Sequence, residues 1–523
     1  MGQDSRTNTL LTRLTKKKES FKQLFAPGRV CICLGAEFAA KPQGQMIFSF
    51  AINLLARLYP IVQDLQIVLP ENIPLKARVP RWRAETLDEY IHLFLRKLNP
   101  PLKWSVNETL TAPPNCTLAI GSTVQIPDHI IFVGSDGWNV YVSPCDSVEV
   151  GDNTNPVGAY SAACFGVAEV SKHLLYLHRE LFTGIPIVPL KQSLSFSSFT
   201  YHAGSHEPNP PLPPYVNLSR LTVVGLGAGG GAAMFTLASL REIRGIINLI
   251  EPDEVVESNL NRYVYADLED ATQRKSKVGI VKGLFEGFTG LNIETFFAPF
   301  GEASQHLSPE DYTYVLAAVH SREARRELQY ETPMVIWDGA ATEDGEFRVW
   351  RLVFGTTECM WCKHPPTEAD PERQKAEQLA LLLGPNIDTW LRKIRNNEAF
   401  EAGEIRAMAA HLACENQQFD LPAEGQTYGD WEAQQCGRLP LPDTDDEIPI
   451  PSAPVMAGVL LAGEVIKELC FPDAVLDSCY WNTLLGRFME RVQPNRRLPS
   501  PNCSFCHDDA YLAQYKRRWD AIR

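Results

Sequence analysis

Residues 221–240 read LTVVGLGAGGGAAMFTLASL, and this stretch decides the fold of the second half of the chain. Four strand-like residues, Leu221 to Val224, run into Gly225, Gly227, Gly229 and Gly230, and a helix of small residues follows. Glycines at such a turn let the backbone close tightly and let N–H groups approach a phosphate at the helix N-terminus. A second apolar run, IINLIE, ends in an acid, Glu251, of the kind that hydrogen-bonds ribose hydroxyls. The pattern predicts a Rossmann-like nucleotide site. On these features alone it fits a dinucleotide, ATP, or a tight turn with no ligand.

The totals bound the rest. A chain of 523 residues is long enough for two to four domains of roughly 100–200 residues. A net charge of −14 argues against nonspecific nucleic-acid binding, and the basic triplet Lys16–Lys18 reads as a solvated helix face. The first residues, MGQDSRTNTL, are polar and carry Arg6 where a myristoylation signal needs Ser or Thr. The longest apolar run, Ala453 to Gly463, is shorter than the roughly 18 residues that span a bilayer. The expectation is a cytoplasmic protein with no membrane and no nucleic-acid partner. The 13 cysteines are odd in number and include two C-x-x-C pairs, a pattern that points to metal rather than a disulfide scaffold.

The stretch after Glu251 separates the nucleotides. IEPDEVVESNLNRYVYADLEDATQRKSK, Ile250 to Lys277, resembles the nucleotide loop of the E1-like superfamily: the ubiquitin-activating, ThiF, MoeB and HesA adenylyltransferases. An acid–x–Asp–x–Val (here through Asp253), then Ser-Asn-Leu-x-Arg, then a lysine occur in order. The resemblance implies an ATP site in which Arg262 and Asn259 contact phosphates. The matching lysine is Lys277 or Lys275; the Asp-Ala-Thr stretch before it favours Lys277. Adenylation joins a carboxylate to the α-phosphate of ATP, so cations and amide donors must stand ready where charge develops. The family's magnesium-binding aspartate falls on His320, in LAAVHSREARR, and imidazole is a poor ligand for so hard a cation. Asp338, in IWDGAA, is the candidate stand-in.

Cys359 and Cys362, then Cys503 and Cys506, have the spacing of two zinc knuckles, and the resemblance implies a closed structural zinc site of four cysteines without catalysis. Between them lie Cys414 and Cys436, the candidates for the family's thioester-forming cysteine. Cys414 sits in an apolar helical pattern. Cys436 follows Gln-Gln in an exposed-looking polar stretch, resembles the catalytic segment of autophagy-type activating enzymes, and is preferred. No His or Lys stands within eight residues of it. That is compatible with the role, because an acyl-adenylate is already activated and carries a good leaving group.

The expected organisation is a degenerate, inactive adenylation-like α/β domain over 1–202 and a proline-rich linker over 203–216. An active adenylation domain follows over 217–365, then a helical insertion with the crossover loop and Cys436 over 366–452, then the domain's return over 453–523. The first two domains would form an intramolecular pseudo-dimer. The N-terminal half carries no phosphate loop, and its NPVGAYSAA is like segments of bacterial ThiF-type proteins. Together the resemblance implies an enzyme like the compact bacterial E1 proteins of antiphage conjugation operons. It would use ATP, Mg2+ and structural Zn2+ to activate a ubiquitin-like protein and hand it to an E2-like protein. Two alternatives remain open at this point: a sulfur-carrier adenylyltransferase acting on a ThiS- or MoaD-like protein, and a non-catalytic scaffold that binds a ubiquitin-like protein.

Overall fold

The computed structural model describes residues 11, 21–107, 109–121, 129–182, 187–204, 209–319, 321–342, 345–365, 371–414, 421–435, 450–475, 479–483 and 498–520. Two seven-stranded sheets organise them. The first contains β1 (Arg29–Leu34), β2 (Asp64–Val68), β3 (Lys103–Asn107), β4 (Cys116–Ile120), β5 (Ile130–Asp136), β6 (Asn139–Ser143) and β7 (Leu194–Ser197). The second contains β8 (Val216–Val224), β9 (Ile243–Ile250), β10 (Leu291–Phe296), β11 (Tyr314–Ala317), β12 (Val335–Ala341), β13 (Glu346–Leu352) and β14 (Cys479–Thr483).

Their strand orders are β3-β2-β1-β4-β5-β6-β7 and β10-β9-β8-β11-β12-β13-β14, one topology used twice. In each, the first five strands of that order pair in parallel and the last two are antiparallel. The central strands show why. β4, CTLAI, is buried along its whole length, as is the end of β8, LTVV. Strands covered by helices on both faces read as continuous apolar runs rather than alternating ones.

Helix Pro156–Tyr176 belongs to the first sheet and helix Ser452–Cys470 to the second. Each is buried almost all round, because one side packs on a sheet and the other on the opposite half. Small residues make the close approach possible: a Cβ on Gly463 would meet Val157 at 3.1 Å, and a Cβ on Gly458 would stand 2.1 Å from the Gly229 carbonyl. Late in each helix a buried Glu-x-x-Lys pair bonds internally, Glu169 with Lys172 and Glu464 with Lys467. Each pair is also tied to its surroundings, through Leu190 N–H to Glu169 (2.9 Å) and Lys467 Nζ to the Phe199 carbonyl (3.0 Å). Tyr160 and Ser239 share a 2.7 Å hydrogen bond across the halves.

Residues 365–448 form a separate compact unit. Helices Pro371–Leu383, Ile387–Asn396, Ala402–Cys414 and Tyr428–Gln435 enclose a small core of Leu379, Leu383, Trp390, Phe400 and Trp431. No helix among the described residues is long and apolar enough to cross a membrane.

Candidate functional site

The glycine turn lies where β8 ends beside β9 and β11, the place at which the strand order reverses and α/β sheets bind ligands. Gly225 has φ +90°, and a Cβ there would stand 2.6 Å from the Ala318 carbonyl, so only glycine fits. Gly230 closes the turn, since its Cβ would collide with the Gly225 carbonyl at 2.0 Å. Gly227 is the extended residue from which helix Ala228–Ala238 starts, and no side chain caps it. Additions at Gly227 and Gly229 meet nothing nearer than 3.7 and 3.5 Å, which leaves the helix N-terminus open to an incoming group. First-turn N–H groups there point outward without intrahelical partners, as anion binding requires.

Glu251 follows β9 directly and is buried against this turn. Its carboxylate accepts from Leu226 N–H at 2.6 Å and from Lys277 Nζ at 3.1 Å. Lys277 Nζ also bonds Asp253 at 2.8 Å. A short backbone bridge explains the convergence: Lys277 N–H donates to the Asp253 carbonyl (3.1 Å) and Val255 N–H to the Lys275 carbonyl (2.9 Å), laying 253–255 against 275–277. Burial alone would pull the Lys277 ammonium down, but Tyr263, Glu251 and Asp253 outweigh it and hold the lysine protonated. Burial pushes the Glu251 carboxyl up, and Lys277 offsets only part of that. Lys275, by contrast, turns to Asp270 at 3.1 Å. Of the two lysines, Lys277 is the one beside the glycine turn.

Arg262 sits half-buried in the loop between. Its guanidinium bonds Asn261 Oδ1 at 3.0 Å and lies 5.2 Å from the Tyr263 ring centroid. Asn259 is buried and its side chain accepts from Val256 N–H at 3.0 Å, so in this conformation it shapes the loop. Two tyrosines that the sequence did not single out belong here. Tyr265 donates to the Leu226 carbonyl at 2.5 Å and packs its ring against Gly231, while Tyr263 lies under both Arg262 and Lys277. Asn53, Arg57 and Arg81, all from the first half of the chain, also contact this loop. Their distance in sequence gave no signal of it.

Asp338, the candidate stand-in for magnesium, is fully buried between Arg325 (Nε at 3.2 Å) and Lys363. Burial would raise its pKa, but Arg325, Lys363 and His364 hold it well below the usual carboxylate range. With its charge committed to these cations, Asp338 as placed is not a magnesium ligand. His320 and Cys436 lie outside the described residues; Cys414 ends helix Ala402–Cys414.

The four knuckle cysteines converge. Cys359 Sγ is 3.8 Å from both Cys362 and Cys503, Cys362 is 3.5 Å from Cys506, and all four sulfurs lie within 4.8 Å of one another. Zinc–sulfur bonds of about 2.3 Å in a tetrahedron give edges of about 3.8 Å, so the set fits zinc. Ser500 N–H donates to the Cys362 sulfur at 3.3 Å, the support a thiolate needs.

Two family models match the chain. The ThiF family model matches residues 216–505, and a model described as Prokaryotic E2 family C matches residues 34–176. The uncharacterized protein y4jF of Sinorhizobium fredii is 24% identical over 95% of this chain and 93% of its own length. Among solved structures, E. coli MccB aligns at 13% identity with a TM-score of 0.31, covering 56% of this chain. MccB with MccA-N7isoASN gives 16%, 0.32 and 55%. The chain spans about two-thirds of the MccB chains it matches, 66% and 67%. The ThiF match covers more than half of the sequence and carries the glycine turn, Glu251, Arg262, Lys277 and the cluster's Cys359, Cys362 and Cys503: the chain belongs to the ThiF family, within the E1-like adenylyltransferase superfamily.

Proposed function

We propose that the chain activates a ubiquitin-like protein in two steps. A carboxylate oxygen of the modifier's C-terminus attacks the α-phosphorus of ATP, pyrophosphate leaves, and an acyl-adenylate forms at the glycine turn. The sulfur of Cys436 then attacks the acyl carbon, AMP leaves, the thiol proton passes to solvent, and the thioester is handed to an E2-like protein. The carrying observation is the convergence of an open helix N-terminus, Glu251 and Lys277 on one loop with Arg262. In this reading Lys277 and Arg262 supply fixed cations for the phosphates. Magnesium, when bound with ATP, would neutralise phosphate charge further. Zinc on Cys359, Cys362, Cys503 and Cys506 would tie the end of the chain to the second sheet as a structural ion.

The N-terminal half is, in this proposal, the non-catalytic member of a pseudo-dimer. Its sheet repeats the topology of the second, but β1 leads into Leu34-Gly35-Ala36-Glu37 rather than a glycine-rich turn. Phe38 crowds the corresponding crevice: its ring would stand 2.8 Å from a Cβ on Gly121. Activity in a bacterial antiviral conjugation pathway, in the cytoplasm, completes the proposal on the strength of the resemblance.

A second reading is favoured by the match to Prokaryotic E2 family C: the N-terminal half itself accepts the modifier. Cys31, Cys33, Cys116 and Cys164 are buried there, and burial raises the Cys31 thiol to about 12, leaving Cys145 as the exposed thiol of that half.

The test is pyrophosphate exchange followed by a non-reducing gel of enzyme, ATP and a ubiquitin-like protein. Cys436→Ala should keep exchange and lose the thiol-sensitive conjugate. Loss of the conjugate in Cys414→Ala with retention in Cys436→Ala overturns the choice of cysteine, and loss in Cys145→Ala favours the second reading. Exchange without any conjugate in the wild type points to a sulfur-carrier adenylyltransferase. Absence of both points to a scaffold.

A further inference from the structure

The segment from Leu260 to Ala266, which carries Arg262, is not held by a ladder of its own. Its internal backbone bonds are short-range turns, such as Tyr263 N–H to Asn259 (3.0 Å) and Ala266 N–H to Tyr263 (3.0 Å). Three of its carbonyls point into the interior and are satisfied from the other half of the chain. Arg57 donates Nη1 to Leu260 and Nη2 to Ala266, the latter at 3.0 Å, and Asn53 Nδ2 donates to Val264 at 2.9 Å. Arg57 Nε bonds Asn53 Oδ1 at 2.8 Å, which locks the two donors together. Both residues are buried, at 3% and 2% exposure.

We infer that Arg57 and Asn53, at the end of helix Pro42–Leu55, are positioning residues for the nucleotide site: they set the loop from which Arg262 reaches the phosphates, so the site is complete only when both halves are present. What the loop does rests on the proposed adenylation; what holds it does not.

The chemistry suits the role. A guanidinium is a planar fork whose donors can meet two carbonyls at fixed separation, whereas lysine offers a single point. A buried carbonyl left without a donor costs free energy, so the loop cannot shift without losing these bonds. Burial pulls the Arg57 guanidinium down to about 9, still charged at neutral pH, with Asp267 supporting it. A second arginine of the same half continues the clamp. Arg81 bonds Asp267 at 3.2 Å and Asp270 more closely, and both carboxylates are buried. Asp270 Oδ1 in turn holds Lys275 at 3.1 Å, which keeps that lysine off the site and leaves the place beside Glu251 to Lys277.

The experiment compares Arg57→Lys, and the milder Asn53→Ala, with wild type by hydrogen–deuterium exchange and by ATP–pyrophosphate exchange. Amides of 258–272 should exchange at least about tenfold faster in Arg57→Lys, while helix Pro156–Tyr176 keeps its protection. The KM for ATP should rise about tenfold, and this effect should vanish in an Arg262→Ala background, because both changes act through one contact. Asn53→Ala should shift both readouts in the same direction by less and decides the matter if Arg57→Lys does not fold. Unchanged exchange at 258–272 in the folded variants overturns the inference. So does a KM effect that multiplies with Arg262→Ala, since Arg57 then acts by another route. A wild type without pyrophosphate exchange sinks the proposed function instead, and the amide exchange alone then decides whether the clamp holds the loop.

Discussion

Replacing Glu251 by alanine would strip the glycine turn of its internal support. Three donors lose their acceptor: Leu226 N–H at 2.6 Å, Lys277 Nζ at 3.1 Å and Asp253 N–H at 3.3 Å. The Leu226 N–H is left buried and unpaired, a cost of about 1–3 kcal/mol. Lys277 loses one of two carboxylates. Orphaning a buried charge altogether costs about 3–5 kcal/mol, but Asp253 remains at 2.8 Å, so only a fraction of that applies. The sum for Glu251→Ala is about 2–4 kcal/mol. Glu251→Gln should behave differently. Its amide oxygen can still accept from Leu226 N–H, but its NH2 then faces Lys277 Nζ and Asp253 N–H, where the carboxylate had accepted, so the cost should be about 1–3 kcal/mol. Urea denaturation of the two variants beside wild type measures both values, and ATP–pyrophosphate exchange follows the site. The KM for ATP should rise in both, more in the alanine variant. If Glu251→Ala unfolds within about 0.5 kcal/mol of wild type, the turn is not held by this carboxylate and the reasoning fails.

Asp338→Asn should cost about 3–5 kcal/mol, because Arg325 and Lys363 stay buried without their counter-charge. The Asp338 carboxyl is depressed in the fold, so its contribution is full above the unfolded value of about 3.9 and fades as pH falls below it; variant and wild-type stabilities measured by denaturation should converge in acid. Purified protein should hold about one zinc by metal analysis, and replacing Cys503 and Cys506 by serine should lose the metal and lower the melting temperature; a metal-free wild type of equal stability would remove zinc from the account. Gly458→Val should destabilise by at least about 3 kcal/mol and weaken ATP binding, since its Cβ meets the Gly229 carbonyl at 2.1 Å. Gly283→Ala, in a helix with nothing within 4 Å, should instead gain about 0.5–1 kcal/mol, measured in the same denaturation series.

Much of the nucleotide half was legible from residue order alone. Gly225, Gly230 and Glu251 announce themselves because their roles are local: a turn and a strand end depend on neighbours a few residues away. The two C-x-x-C pairs suggested a metal site at any separation, since four cysteines at knuckle spacing suit a tetrahedral ion. The apolar run Ala453 to Gly463 was visible in the sequence, and the structure places it within helix Ser452–Cys470.

The sequence favoured Lys277 over Lys275, two residues away, but only the tertiary structure supplies the physical difference between them. A backbone bridge turns one toward Glu251, and a buried Asp270 captures the other. It also showed Asp338 committed to Arg325 and Lys363, where residue type alone had suggested a metal ligand. The repeated strand order of the two halves leaves little trace in the sequence, because topology is set by packing and not by residue identity. The hold of Arg57 and Asn53 on a loop some 200 residues away appears only when the chain folds. Main-chain carbonyls carry no side-chain signature, so nothing in the loop's own sequence names the residues that satisfy them.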